Sequence, residues 1–329
     1  SIGVRPEVAL AKEANIETGS LGGIKVNDYM QTSDEHIYAL GDAVEVFNPV
    51  TGKPALIPLA GPANKQGRIV ADNIILGNKR KYNGTIGASV AKVFELTVAA
   101  TGASSKLLDK EKIPHIASYT HGSSHAGYYP GALPLSIKIN FSPSDGRLLG
   151  AQVVGFDGVD KRIDLFSQVI RNNGTIYDLQ ELEHAYAPPY SSAKDPVNIA
   201  GFVAENIIDG RVRVIQWEEI NKLDKNKFLL IDARTPGEFE FGHIDGAINI
   251  PVDDIRKRLD AIPHDRQIIT YCAVGLRGYL ASQILRQHGY TDVCNLSGGY
   301  KTYSVATGQY TSGPDKTTDK PNTSSSDNN

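Results

Sequence analysis

The residues with the clearest potential for chemistry lie in one short segment, residues 272–277. Cys272 ends an apolar run that is typical of a buried strand, and a helix-compatible sequence begins after Gly278. Backbone N–H groups at such a strand-to-helix turn, together with the helix dipole, favour a thiolate over a thiol, and Arg277 would add a positive charge. Cys272 is therefore a candidate nucleophile; the alternative is a small buried side chain with no chemical role.

A second candidate is the Gly41-Asp42 pair, which follows an apolar run at 36–40 that we interpret as a strand. In open α/β sheets, cofactors lie at the carboxyl ends of strands. Asp42 could accept hydrogen bonds from cofactor hydroxyl groups, and Gly41 would allow a cofactor to approach the backbone closely. The alternative interpretation is an ordinary Asp cap.

The Gly41-Asp42 pair lies in residues 1–80, where short apolar runs alternate with Gly and Pro before a helical pattern at 63–76. This order indicates α/β structure. Residues 84–208 then indicate an α+β domain that contains a hairpin, because strand-like runs precede the helical patterns. These runs and patterns cover residues 91–100, 135–141, 148–156, 162–171 and 197–208.

Cys272 belongs to a third region, residues 212–303, in which the apolar runs 228–232 and 267–272 are long enough for buried parallel strands. Each leads into a turn and a helix-compatible segment, which predicts a doubly wound α/β domain. Residues 304–329 are rich in Ser, Thr, Asp and Asn, and we expect a disordered tail. The fold class is therefore multidomain, with α/β and α+β parts.

Composition excludes several function classes. The 329 residues exceed what a single hydrophobic core usually serves, and 40% hydrophobic content supports folded domains. A formal net charge of −3 provides no broad cationic surface for nucleic acid. There is no apolar run of membrane-spanning length and no metal-ligand spacing, so neither a membrane partner nor a metal is expected. The two cysteines, Cys272 and Cys294, suit a reducing, cytoplasmic environment.

The third region resembles the rhodanese family of sulfurtransferases. The matching motifs are LIDAR at 230–234, EF at 238–239, GHIDGAINIP at 242–251, CAVGLRG at 272–278 and NLSGG at 295–299. The resemblance implies that Cys272 carries a persulfide and that Arg277 lies at the far end of the loop. The loop amides that hold the sulfur anion would belong to Ala273, Val274, Gly275 and Leu276. The six-residue loop is one residue shorter than in related phosphate-ester hydrolases, which favours sulfur over phosphate.

Several other polar residues of this region have structural interpretations. Asp232 and Arg234 are expected to pair within the fold. His243 is expected to be a hydrogen-bonded turn residue, and Cys294 a buried one.

Residues 1–208 resemble the carboxyl-terminal portion of the flavin-dependent pyridine nucleotide-disulfide oxidoreductases, in the branch of coenzyme A-disulfide reductases and NADH oxidases. The matching motifs are GVRP at 3–6, GIKVN at 23–27, QTS at 31–33, GD at 41–42, HAGYYPG at 125–131 and AYAPPYSSAKDP at 185–196. Fusion of such a reductase to a rhodanese module is a known architecture. The resemblance therefore covers nearly the whole chain except the tail.

This second resemblance implies FAD, NAD(P)H and coenzyme A as cofactors or substrates, and a homodimer formed through residues 84–208. The FAD contacts would come from Gly41, Asp42 and Ala43, and from the helix start at Leu59 and Ala60. Tyr128 and Tyr186 would reach across the dimer to the substrate disulfide, and Lys194 would lie near coenzyme A phosphates. For the tyrosines, the alternative interpretation is packing at the rim of the dimer interface.

The departures from this family concern the start of the chain. The sequence has no Gly-rich dinucleotide-binding fingerprint there, and both cysteines lie in the rhodanese-like region. We therefore expect a truncated chain with weak or no FAD retention and no complete reductase cycle. The predicted function is that of part of a coenzyme A-disulfide or persulfide reductase joined to a sulfurtransferase. The alternatives are a flavin NADH oxidase with an accessory rhodanese, and a non-catalytic sulfide-sensing or docking module.

Overall fold

Three sheets organise the part of the chain that the computed structural model describes, residues 3–224 and 226–309. The chain divides into two compact units between Val212 and Arg213. Two of the sheets lie in the first unit and one in the second. None of the helices in these residues is long and apolar enough to cross a membrane.

The first unit begins with a three-stranded sheet and a long helix. In order along the chain, its elements are α1 (Ala9–Glu13), β1 (Ile24–Lys25), β2 (Val44–Asn48), β3 (Lys53–Ala55) and α2 (Ala60–Leu76). Strand β2 pairs in parallel with β1 and antiparallel with β3. Its Val44 and Val46 pack with Met30 and with Val70 of α2, so this small core joins the sheet to the helix.

The predicted strand at 36–40 is wrong. This segment makes one isolated bridge, between Gln31 and Tyr38, and the strand β2 begins only after a 3₁₀ turn, Gly41–Ala43. The side chains of Asn27 and Asp34 accept backbone N–H groups of the residues that follow them. These local hydrogen bonds favour turns over a strand ladder.

An antiparallel five-stranded sheet in the order β4-β5-β8-β7-β6 forms the rest of the first unit. Its elements are β4 (Ser89–Val93), β5 (Leu96–Gly102), α3 (Ser105–Lys110), β6 (Ile116–Ser123), β7 (Pro134–Phe141), β8 (Leu148–Gly155), α4 (Val159–Arg171), α5 (Ile176–Glu181) and α6 (Pro196–Ile208). The predicted hairpin corresponds to β7 and β8. The run at 91–100, however, is two strands joined by a turn at Phe94, whose φ of 53° reverses the chain.

The second unit has a fully parallel sheet in the order β11-β10-β12-β13-β9. Its elements are β9 (Arg213–Ile215), α7 (Trp217–Ile220), β10 (Phe228–Asp232), α8 (Pro236–Phe241), β11 (Ile248–Asn249), β12 (Gln267–Tyr271), α9 (Leu276–Gln287), β13 (Val293–Leu296) and α10 (Gly299–Ala306). Consecutive residues of β12, Ile268 and Ile269, belong to two different hydrophobic clusters. Both faces of the sheet are therefore covered, as continuous apolar strands require.

The chain end differs from the prediction in one respect. Helix α10 continues to Ala306 and so passes the boundary at residue 303 that composition suggested. Its Tyr303 is buried in one of the two clusters. Most of the predicted tail, residues 310–329, lies outside the described residues.

Candidate functional site

Cys272 follows directly after β12, the central strand of the parallel sheet. The backbone N–H of Gly275 donates a hydrogen bond of 3.2 Å to the Cys272 Sγ atom. Gly275 is also the N-cap residue of α9, and its φ of 123° is a conformation that other residues rarely adopt. The sulfur therefore lies at the amino end of a helix and accepts a backbone N–H, as the sequence predicted.

The start of α10 holds the beginning of this loop. The backbone N–H groups of Tyr300 and Lys301 donate to the carbonyl oxygens of Cys272 and Ala273, at 2.8 and 3.0 Å. A Cβ atom at Gly299 would collide with the Cys272 carbonyl oxygen, which explains the second glycine of the NLSGG motif. Asn295 of the same motif donates from Nδ2 to the Gly275 carbonyl oxygen at 3.3 Å. The motif thus fixes both ends of the cysteine loop.

Arg277 is engaged by a carboxylate that the sequence analysis did not assign. Its Nη1 and Nη2 atoms each donate a hydrogen bond of 2.7 Å to Glu238 of α8. These bonds lower the pKa of Glu238 to about 2 and raise the pKa of Arg277, which Cys272 raises further. The signal that could have found Glu238 is the capping box T-x-x-E at 235–238, since Glu238 caps Thr235 at the start of α8.

The remaining loop residues form the rim of the site. Cys272 itself is only 1% exposed, whereas the side chains of Val274 and Leu276 are 39% and 66% exposed. The four residues predicted to surround the sulfur anion all lie between Cys272 and the first turn of α9. The loop around the sulfur therefore exposes two aliphatic side chains beside the Arg277–Glu238 pair.

The predicted structural roles in this region are confirmed. Asp232 and Arg234 form a buried bidentate ion pair with N–O distances of 2.6 to 3.0 Å. The Arg234 guanidinium also lies 4.4 Å from the centre of the Tyr300 ring. His243 stacks on Phe239 and hydrogen-bonds its carbonyl oxygen. Cys294 is buried, and burial raises its pKa.

Tyr128 and Tyr186, 58 residues apart, are brought together in the first unit. Their phenolic oxygens lie 2.7 Å from each other, and this hydrogen bond raises the pKa of Tyr186. Both side chains are accessible, 77% and 46% exposed. Two exposed phenols that share a hydrogen bond are suited to donating to an anionic leaving group.

A buried ion pair ties the two tyrosine segments together. The fully buried Arg162 of α4 donates two hydrogen bonds to Asp195, at 2.8 and 3.1 Å, and one to the carbonyl oxygen of Ser124. Ser191 also donates to Asp195. Burial raises the pKa of Asp195, but the bonds from Arg162 and Ser191 outweigh it, so the pKa is lowered. No local sequence signal indicates this pair, because its members are 33 residues apart.

Lys194, the predicted phosphate contact, is exposed and lines a small pocket beside β6. The pocket also contains Thr120, His121 and Ser192. The Thr120 hydroxyl group is buried and has no hydrogen-bond partner among the described residues.

The residues predicted to contact a flavin also lie close together. The 3₁₀ turn of Gly41, Asp42 and Ala43 packs against α2, and the Gly41 N–H donates to Gln66 of that helix at 2.7 Å. Helix α2 begins at Ala60 after Leu59, without a side-chain cap. Asp42 is exposed. This corner of the first unit therefore presents a carboxylate beside an uncapped helix start.

Comparison with known protein families divides the chain near the boundary between the two compact units. A family model described as pyridine nucleotide-disulphide oxidoreductase matches residues 1–67, and the model of the dimerisation domain of that family matches residues 88–196. A rhodanese-like domain model matches residues 218–306. The chain belongs to the pyridine nucleotide-disulphide oxidoreductase family and carries a rhodanese-like domain. Tyr128, Tyr186 and Lys194 lie in the dimerisation domain of this family, and Cys272 lies in the rhodanese-like domain.

Two solved structures match both parts of the chain, and a curated relative matches 204 of its residues. The solved structure of reduced CoADR-RHD from Bacillus anthracis is 50% identical, with a TM-score of 0.90 over 94% of this chain and 55% of that chain. The NAD-dependent persulfide reductase from A. fulgidus is 37% identical, with a TM-score of 0.82 over 92% of this chain and 54% of that one. A coenzyme A disulfide reductase of Staphylococcus epidermidis is 35% identical over 204 residues, which are 62% of this chain and 46% of that protein. The chain thus spans about half the length of these relatives.

Proposed function

We propose that this chain is part of an NADH- and FAD-dependent reductase of coenzyme A disulfides or persulfides, in which the rhodanese-like domain transfers sulfane sulfur through Cys272. The observation that carries the proposal is the Gly275 N–H, which donates to the Cys272 sulfur at the start of α9. A helix amino end stabilises negative charge, and a persulfide on Cys272 would place its outer sulfur anion there.

In the transfer step, the Cys272 thiolate attacks the outer sulfur of a donor R–S–SH. A bond forms between Sγ and that sulfur, the donor's own S–S bond breaks, and the thiolate RS⁻ leaves with the electron pair. The sulfur then passes from Cys272 to an acceptor thiolate by the reverse chemistry. The backbone N–H groups of the loop can donate hydrogen bonds to negatively charged sulfur. They therefore suit the Cys272 thiolate, the leaving thiolate and the persulfide anion on Cys272.

The first unit contributes residues that fit a flavin. The exposed carboxylate of Asp42 suits hydroxyl groups, and the uncapped start of α2 at Ala60 suits negative charge. Bound FAD would supply electron transfer between a nicotinamide and a thiol. In that setting Gly41, Ala43 and Leu59 would provide backbone contacts.

The tyrosine pair would serve the reductive step in a homodimer formed through residues 84–208. Tyr186 and Tyr128 share one hydrogen bond, so either hydroxyl group could donate to a thiolate that leaves the substrate. Lys194 would attract a phosphate of coenzyme A.

The sulfur-transfer proposal is tested by incubating the chain with thiosulfate or with an organic persulfide and measuring the mass of the peptide that contains Cys272. We expect this peptide to gain the mass of one sulfur atom, and Cys272→Ser to abolish both the gain and the transfer of sulfur to cyanide. Cys294→Ser is the matched control, since Cys294 is buried in β13. Equal sulfur transfer by wild type and Cys272→Ser would disprove the proposal.

A further inference from the structure

The guanidinium groups of Arg277 and Arg234 are both paired with carboxylates. Arg277 is the only basic residue between Cys272 and Gly278, and both of its Nη atoms bind Glu238 at 2.7 Å. Arg234, which lies over the Tyr271 and Tyr300 rings, is paired with Asp232. A dianionic donor would need the positive charge of these guanidinium groups, and the paired carboxylates largely neutralise that charge.

Lys301 is a further basic residue that contacts this loop. Its backbone N–H binds the Ala273 carbonyl oxygen, so it belongs to the turn of α10 that holds the cysteine loop. Burial lowers the pKa of its amine, which disfavours the charged form.

The exposed side chains at the rim of the site also favour an organic donor over a dianion. Val274 and Leu276 flank Gly275, and both expose their side chains at the loop. A strongly hydrated dianion gains nothing from such a surface, whereas the alkyl part of an organic donor can lie against it.

We infer that Glu238 sets the charge class of the sulfur donor, so that the site takes organic persulfides in preference to thiosulfate. The inference rests on the proposed sulfur-transfer function and specifies its substrate class. Glu238 hydrogen-bonds to Arg277, so it acts through the cation beside the sulfur.

The charges of the two transfers explain the preference. Thiosulfate brings two negative charges to a thiolate and leaves as sulfite, with Cys272–S–S⁻ as the other product, so three negative charges share the site throughout. A protonated organic persulfide, R–S–SH, brings no charge: its outer sulfur bonds to Sγ and keeps its proton, and the R–S⁻ thiolate leaves with a single negative charge. In both cases one S–S bond forms at Sγ and one breaks in the donor. Removing the Glu238 charge therefore lowers the repulsion for thiosulfate far more than for the organic persulfide.

The experiment measures single-turnover loading of sulfur onto Cys272, by intact mass, with thiosulfate and with N-acetylcysteamine persulfide as the two donors. We expect wild type to load faster from the persulfide. We expect Glu238→Gln, which keeps an oxygen for Arg277 and a capping group for Thr235, to load from thiosulfate roughly tenfold faster, with a change of less than about threefold for the persulfide. Glu240→Gln is the matched control, because Glu240 is an exposed carboxylate of the same short helix.

Leu276→Lys provides a second variant that does not disturb the capping box. Its side chain is 66% exposed, and the added cation is also expected to accelerate loading from thiosulfate. If neither variant changes the ratio of the two rates, while Cys272 still loads, the inference about Glu238 is wrong and the sulfur-transfer function stands. If Cys272 loads from neither donor in any variant, the proposed function itself fails.

Discussion

The Glu238 carboxylate accepts hydrogen bonds from two residues, Thr235 and Arg277. Its Oε2 atom accepts from the Thr235 N–H and hydroxyl group at 3.0 Å, and both oxygens accept from Arg277. The same side chain thus begins α8 and fixes the last residue of the cysteine loop. The sequence motif EF at 238–239 marks this residue, but only the structure pairs it with Arg277, 39 residues away.

This arrangement predicts a pH-dependent contribution to stability. The pKa of Glu238 falls from 4.5 to about 2 on folding, because Arg277 binds the ionised form. The lowered value means that the stabilisation is complete above pH 4.5 and is lost as the pH falls through about 2. We expect Glu238→Gln to unfold about 1 kcal/mol more easily at pH 6, a modest value because both partners are about one-third exposed.

The measurement is urea unfolding of wild type and Glu238→Gln at several pH values from 6 downwards. The difference in the free energy of unfolding between wild type and Glu238→Gln should become smaller below pH 4.5. A gap that stays constant over this range would show that the ionised carboxylate is not what stabilises the fold.

At the scale of elements, the continuous apolar patterns were the most informative. The runs at 228–232 and 267–272 correspond closely to β10 and β12, because strands covered on both faces have apolar residues at every position. The helical pattern at 162–171 corresponds to α4. The strand predicted at 36–40 is absent because the Asp34 side chain accepts the His36 N–H and the Asn27 side chain accepts the Gln31 N–H, which makes turns in and before this segment. Apolar content does not report such bonds.

The second glycine of the NLSGG motif gives a prediction about how α10 supports the loop. Gly299 has a φ of 59°, and a Cβ atom there would meet the backbone of Cys272 and Ala273. We expect Gly299→Ala to destabilise the rhodanese-like domain by about 3 kcal/mol and to slow sulfur loading of Cys272. Gly289→Ala is the matched control, since Gly289 also has a positive φ but faces open space, and it should cost about 1 kcal/mol. Equal losses in the two variants, measured by urea unfolding, would mean that the contact with the loop is unimportant.

The Arg162–Asp195 pair predicts that α4 anchors both tyrosine segments. Arg162→Ala would leave Asp195 ionised and buried without its partner, which we expect to cost about 3–5 kcal/mol in the free energy of unfolding of the first unit. Arg80→Ala removes a partly exposed pair with Asp72 and should cost less than about 1 kcal/mol. Thermal unfolding of the two variants distinguishes these cases. A loss for Arg162→Ala no larger than that for Arg80→Ala would contradict the anchoring role.

At the scale of the whole molecule, the two units have separate interiors. Two hydrophobic clusters lie within the first unit, around Phe166 and around Val44. Two others, on the two faces of the parallel sheet, draw only on residues of the second unit. The family models separate at the same place, with the reductase models ending at residue 196 and the rhodanese-like model beginning at 218.

The second unit is therefore expected to fold and carry sulfur without the first. Residues 213–309 contain the full five-stranded sheet, both of its clusters, and each bond that holds the Cys272 loop, from Gly275, Asn295 and α10. A segment of ~100 residues with a complete core is of ordinary domain size. Expressed alone, it should unfold in one cooperative urea transition and load sulfur onto Cys272 within about twofold of the rate of the 329-residue chain. A non-cooperative transition, or loading that requires the first unit, would mean that the sulfur site depends on residues before Arg213.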